Sequence, residues 1–262
     1  MKSAKEKGYD LIGKIAIVKF SKETKTAGKK KFANKLLKKN KSIKTVVEKV
    51  GKFRGRLRKQ ETRFVAGEKT KEALHKENGC VFRLNVDKVY FSPRLSNERK
   101  EISEKIKKND IVLVMFAGVG PFPIVIAKNS QAKKVYSNEI NRDANKYAKL
   151  NIELNKLKDR VFLLTGDAKR VIEKNKKERF DVIVMPRPRL KETFLKEAFS
   201  LSKKGTRIFY YDFCKEDEIP LVLEKIKLEA KKARKKIKVL KTKVAGEIAP
   251  YIIRVRVDFR VL

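Results

Sequence analysis

Histidine and cysteine are almost missing from this chain of 262 residues, which has one His, two Cys and no Trp. Cys80 and Cys214 are too few for a disulfide framework, and together with His75 they cannot complete a zinc set, so no metal is expected. With one imidazole and no activated thiol, Ser-His-Asp and Cys-His nucleophilic chemistry is also disfavoured. Any catalysis falls to carboxylates, arginines and a bound cofactor. Long apolar runs are absent too, and Met1 leads straight into KSAKEKGYD, so neither a membrane span nor a signal peptide is expected and the location is taken as cytoplasmic. Negative charge is the deepest deficit: 31 Asp and Glu face 69 Lys and Arg, a formal net charge of +38. Ion-pair networks of heat-adapted chains keep the two signs near balance. This excess implies a polyanionic partner, and nucleic acid is favoured over a membrane surface. Nothing marks a sizeable apolar interface, so a monomer is expected.

From about Asp110 onward, short apolar runs alternate with helical patterns, the sign of an α/β, doubly wound parallel sheet. The runs are IVLVMFAG, KKVYSNEI, RVFLLTGDA, FDVIVMP and TRIFYYDFC. A long helix from about Pro220 to Lys236 follows, and then KVLKTKVAG and YIIRVRVDF, which read as an antiparallel hairpin at the sheet edge. The first hundred residues read as a small separate α/β domain, with a strand at LIGKIAIVKF, a Lys-rich helix at GKKKFANKLLKKNK, and strand-like segments at 44–50 and 81–91. The expected domains are 1–103 and 104–262. Both the Lys29–Lys41 run and KKARKKIK near the C-terminus suit phosphate neutralisation without sequence choice.

FAGVGPF at 116–122 sits on the first strand-to-helix turn, where ligands collect in parallel sheets. Gly118 and Gly120 permit a tight turn and close approach. Glu139 ends the second strand, where a carboxylate can accept from both hydroxyls of a ribose, and Asp167 ends the third, where it can meet an adenine amino group. This order suits S-adenosyl-L-methionine better than a dinucleotide, whose fingerprint is GxGxxG where this chain has GVGPFP. MPRPRL at the fourth strand end, stiffened by Pro186 and Pro188, occupies the acceptor side of such a site.

Several phrases together resemble one family, the archaeal and eukaryotic tRNA (guanine(37)-N(1))-methyltransferases: YDLIGKIAIV at Tyr9, FRGR at Phe53, HKENG at His75, KVYFSPRLSNER at Lys88, MFAGVGPF at Met115, LNKL at Leu154 and APYI near the end. The resemblance implies a Rossmann-like class I methyltransferase domain, with a mostly parallel seven-stranded sheet and a C-terminal antiparallel hairpin, preceded by a small α/β domain. It implies S-adenosyl-L-methionine as cofactor and tRNA as partner. It further implies Glu98 as general base on the target guanine and an assisting arginine, best matched by Arg58, with Arg54 and Arg56 as alternatives. By the same similarity Tyr90, Phe116, Gly118, Val119, Gly120, Glu139, Asp167 and Ala168 line the cofactor site. Arg94, Pro186, Arg187 and Pro188 are expected on the substrate side.

These roles agree with the chemistry, since guanine N1 must lose its proton before it attacks a sulfonium methyl, and a positioned carboxylate can take it. An arginine near the guanine carbonyl oxygen would stabilise the developing negative charge. Two positions depart from the family pattern: Pro186 stands where many relatives have Asn, and Val114 where many have Asp. The proline resembles the archaeal branch that also methylates carbon 7 of 4-demethylwyosine, so dual activity is expected. The competing readings are a methyltransferase for another tRNA or rRNA position, and a non-catalytic RNA-binding protein on a methyltransferase scaffold.

Overall fold

The structure is a computed structural model; it describes residues 8–175 and 177–262, with side chains for all of these except 52–54. The chain divides into two compact units, Met1–Pro93 and Arg94–Leu262.

In the first unit, β1 (Tyr9–Ile12), β2 (Ile15–Val18), β3 (Thr45–Arg54) and β4 (Lys59–Gly67) form a sheet in that order. Helix α1 (Thr26–Lys39) makes the crossover between the parallel pair β2 and β3. A separate hairpin joins β5 (Glu72–Glu77) to β6 (Cys80–Asn85). LIGKIAIVKF is two antiparallel strands rather than one. The chain reverses at Gly13, whose φ is +57°; a Cβ there would lie 2.5 Å from the carbonyl oxygen of Leu74. Strand β4 escaped the sequence reading because the residues on its buried face include Gln60 and Thr62, which hide the usual alternation of apolar and polar residues. The small core gathers Ala16, Val18, Phe20, Ala33, Ile43 and Val46.

The second unit opens with α2 (Ser96–Glu104), followed by β7 (Ile111–Met115), α3 (Pro121–Asn129), β8 (Lys134–Glu139), α4 (Arg142–Leu154), β9 (Val161–Thr165), α5 (Ala168–Lys174), β10 (Phe180–Met185), α6 (Leu195–Ser200), β11 (Ser202–Cys214), α7 (Ile219–Lys232), β12 (Ile237–Ala249) and β13 (Ile252–Val261). The sheet order is β12-β13-β11-β10-β7-β8-β9. Its five strands β7 to β11 are parallel, while β13 pairs antiparallel with both β11 and β12. This is the expected seven-stranded sheet with a C-terminal hairpin. Runs such as IVLVM and VIVM are buried because helices cover both faces of a parallel sheet. The division at 93/94 precedes the expected 103/104 junction, since α2 packs on α3, with the Arg99 guanidinium 5.7 Å from the Phe122 ring. Among the described residues, no helix is long and apolar enough to cross a membrane.

Candidate active site

Strand β7 stops because the backbone turns left-handed at Phe116 and Gly118, both with φ of +59°, and again at Gly120 with +86°. At Gly120 a Cβ would come 3.1 Å from Ile124 Cδ1, so glycine suits both the φ and the space. Pro121 then starts α3, where a missing N–H costs nothing. Ala117 N donates to Asn138 O at 2.9 Å, fastening the loop to the end of β8.

That fastening puts the loop beside Glu139. Its Oε2 accepts from Gly118 N at 2.8 Å and its Oε1 from Asn141 N at 2.7 Å. A backbone N–H on each oxygen fixes the direction in which the carboxylate points. Gly166 N donates to Glu139 O at 2.8 Å, which brings the end of β9 alongside, and Asp167 then caps α5 by accepting from Lys169 N at 2.9 Å. Phe116, Gly118, Val119, Gly120, Glu139, Asp167 and Ala168 thus lie on adjoining strand ends. Val119 and Ala168 are buried, Val119 completely.

The sequence reading missed what holds these ends together. Asn138 Nδ2 donates to Leu164 O and Gly166 O, Asn145 Nδ2 to Glu139 O, and Asn151 Nδ2 to Val119 O at 3.0 Å. The signal was present as five Asn between 138 and 155, at positions 138, 141, 145, 151 and 155. Asparagine is neutral to unfavourable inside helices unless its amide serves a local backbone group.

Glu98 lies in a second cluster of the same unit. Its Oε1 accepts from Lys243 Nζ at 2.7 Å, and its Oε2 accepts from Arg256 Nη1 at 2.6 Å and Tyr211 Oη at 2.9 Å. Arg256, fully buried, also donates to Glu101 at 2.6 Å and to Asp258 at 2.7 Å. Burial, then the Glu98 charge, pushes the Tyr211 hydroxyl well above its ordinary range, so it remains a donor. Bonding from Arg256 and then Lys243 outweighs burial and holds the Glu101 carboxyl down to about 2.

Of the residues expected on the substrate side, Pro186 and Pro188 are half-buried in the loop after β10 and Arg94 is exposed in a 3-10 turn. Arg187 is buried, with its Nη1 2.5 Å from Asp212 Oδ1. In the first unit, the Arg58 guanidinium lies 4.1 Å from the Tyr90 ring centroid, a cation–π distance. Arg58 holds a left-handed φ of +51° in the β3–β4 turn. Arg56 is exposed, and the side chain of Arg54 lies outside the described residues. His75 serves the fold: its Nδ1 accepts from Gly13 N at 3.1 Å and its ring stands edge-on to Phe91. Among the described residues no group of three His, Cys, Asp or Glu could hold a metal.

Glu139, Asp167 and the left-handed glycine loop match an adenosyl ligand by donor chemistry, with a carboxylate for the ribose diol, an acid at the next strand end, and a turn that brings backbone close. Residues 73–240 match the TRM5/TYW2 methyltransferase domain, and residues 2–70 match the TYW2 N-terminal domain. The chain is 37% identical over 254 residues to the tRNA (guanine(37)-N(1))-methyltransferase Trm5b of Pyrococcus abyssi, covering 97% of this chain and 74% of that protein. The crystal structure of Trm5b from that organism matches with a TM-score of 0.87 at 36% identity, over 97% of this chain and 74% of that one. Similarity to the tRNA (guanine(37)-N(1))/4-demethylwyosine(37)-methyltransferase Taw22 of Nanoarchaeum equitans is 34% identity over 95% of this chain and 98% of that protein. The structure of Methanocaldococcus jannaschii Trm5 in complex with adenosine matches with a TM-score of 0.80 at 32% identity, over 97% of this chain and 72% of that one.

Proposed function

The chain belongs to the TRM5/TYW2 methyltransferase family, and on that premise we propose that it is an S-adenosyl-L-methionine-dependent enzyme that forms 1-methylguanosine at position 37 of tRNA. The observation that carries this reading is the Glu139 carboxylate, fixed by the amides of Gly118 and Asn141 at the mouth of the glycine loop. Glu139 takes the ribose hydroxyls, Asp167 the adenine amino group, and Phe116, Gly118, Val119, Gly120 and Ala168 complete the cofactor site, to which Tyr90 also contributes. The cofactor supplies an electrophilic methyl on sulfonium sulfur. The residues of this chain must strip and stabilise the nucleophile. Glu98 takes the N1 proton of guanine, and Arg58 stabilises the charge that moves onto the carbonyl oxygen. Tyr211 and Arg256 hold Oε2 from buried positions, and Lys243, whose side chain is 34% exposed, holds Oε1. Net charge of +38 supplies the long-range attraction to tRNA.

The test is transfer of labelled methyl to a tRNA transcript with guanine at position 37, beside one with adenine there, by wild type and Glu98→Ala. Methylation of the guanine transcript alone, lost in the variant, is the expected result. Transfer to neither transcript by protein that binds the cofactor would overturn the assignment.

A second activity, methylation of 4-demethylwyosine at the same position, is favoured by one observation: similarity to Taw22 runs along nearly the whole of that protein. Transfer to tRNA carrying 4-demethylwyosine is the expected result, and failure there with guanine still methylated would remove this second activity.

A further inference from the structure

The loop between β10 and α6, residues 186–194, is built around a cation. Arg187 N donates to Met185 O at 2.7 Å, a three-residue turn centred on Pro186. Proline fixes φ at about −65°, close to the value such turns require, and Pro188 keeps Arg187 extended. The turn sends the Arg187 side chain inward, where it is 3% exposed. There Nη1 meets Asp212 Oδ1 at 2.5 Å, while Nη2 donates to the backbone oxygens of Leu190 at 2.7 Å and Glu192 at 2.6 Å. Asp212 is itself fixed on β11 by Tyr210 Oη at 3.0 Å, its neighbour Phe213 N at 2.9 Å and Lys225 at 3.2 Å. One guanidinium therefore ties two carbonyls of an irregular loop to a rigid strand. Beyond these carbonyls the loop reaches the cofactor elements: Glu192 pairs with Lys169 of α5 at 2.6 Å, and the Phe194 ring stands edge-on to Phe116 at 5.0 Å.

We propose that Arg187 is a positioning residue for methyl transfer, a clamp that fixes the backbone of the 186–194 loop against Asp212 so that the acceptor base is presented to the cofactor site in reacting geometry. This rests on the reading above that the chain is a methyltransferase with its acceptor at this strand end. Arg187 does not itself touch the base. Two carbonyls and a carboxylate shared between Nη1 and Nη2 suit a forked guanidinium, and the compact ammonium of lysine cannot reproduce that arrangement. Misplacement by about 1 Å from a change away from the reacting atoms is enough to cost roughly a hundredfold in rate.

The test compares wild type, Arg187→Lys and Arg187→Ala on the guanine-37 transcript, by single-turnover rate at saturating cofactor and tRNA, with affinity for each ligand measured separately. Arg187→Lys keeps a cation opposite Asp212 and so retains the fold. Its rate is expected to fall by about ten- to a hundredfold with both affinities within about threefold of wild type. Added guanidinium ion is expected to restore part of the rate of Arg187→Ala, which recovery of stability alone would not produce, because guanidinium destabilises folds. A wild-type rate in Arg187→Lys overturns the clamp. So does a rate loss matched by equal losses of cofactor affinity and melting temperature in both variants, without rescue. If wild type transfers no methyl to guanine 37, the reading beneath the clamp has failed and the clamp with it; if wild type transfers normally and only the Arg187 comparison fails, that reading stands.

Discussion

Glu139 and Glu98 are both half of a proposed site, yet the chain holds them by different means. Glu139 rests on two backbone amides from within a stretch of 24 residues, 118–141. Glu98 rests on side chains from β11, β12 and β13, at separations of 113, 145 and 158 residues. Backbone donors come with the loop, and their number and direction follow once strand and helix are set. Side-chain cations come from elsewhere, and each is shared: Arg256 serves Glu98, Glu101 and Asp258 together. A backbone-held carboxylate is therefore a binding group separable from the fold, whereas one held by shared ions ties reactivity to stability.

The sharpest way to break this comparison is Glu98→Gln. Loss of a general base is worth about 10²–10⁴-fold in rate, and the single-turnover rate on the guanine-37 transcript should fall by that much while cofactor affinity is unchanged. An equal fall in cofactor affinity would show that the two carboxylates are not separate devices. Arg256→Met comes next. It leaves three carboxylates without their common guanidinium, and breaking such a buried pair costs about 3–5 kcal/mol, read as a lowered urea midpoint with unchanged slope. If the midpoint holds, the ion cluster is not what fixes the hairpin against α2.

Glu139→Ala is expected to act in the opposite register. Hydrogen bonds to a charged group are worth roughly 1.5–3 kcal/mol, so cofactor affinity should weaken about ten- to a hundredfold by calorimetry, while the melting temperature changes little. A large drop in melting temperature would mean that Glu139 serves the fold as Glu98 does.

The same division explains what the sequence disclosed. The glycine loop, both strand-end acids and the parallel order of β7 to β11 could be read because each follows from local pattern: an apolar run, a Gly turn, an acid where the run stops. The partners of Glu98 could not. Arg256 sits within RVRVDF, an alternation in which the arginine occupies an apparently ordinary strand position, and only the pairing of Lys243 with Arg256 across β12 and β13 assembles the cluster. The partners of Arg187 were hidden for a related reason. An arginine between prolines at a strand end reads as a substrate contact, and nothing nearby announces that Asp212, on the next strand, turns it inward.

Glu101 sharpens the comparison through pH. Its folded carboxyl lies at about 2, below the ordinary 4.5, chiefly through Arg256. A depressed folded value stabilises the fold above the unfolded value, and that stabilisation is lost as pH falls from about 4.5 towards about 2. Melting temperature should therefore drop through that window in wild type, and less steeply in Glu101→Gln. Equal slopes would remove Glu101 from the coupling.

Charge without organised partners is the limiting case. Lys29 of α1 pairs with Glu48 at 2.6 Å, but Lys30, Lys31, Lys35 and Lys38 make no ion pair among the described residues. Lys31, Lys35 and Lys38 fall on one exposed face at helical spacing. Such lysines were legible from composition alone, and their worth should be electrostatic only. Replacing these three with Gln should change melting little, since surface substitutions stay within about 0.5 kcal/mol each. Each phosphate contact contributes about 0.7–0.9 to the slope of log affinity against log salt. The triple variant should therefore flatten that slope for tRNA by about 2 to 3 while methyl transfer at saturating tRNA keeps its rate. An unchanged slope would mean that this face meets no phosphate, and that the excess charge acts from elsewhere on the molecule.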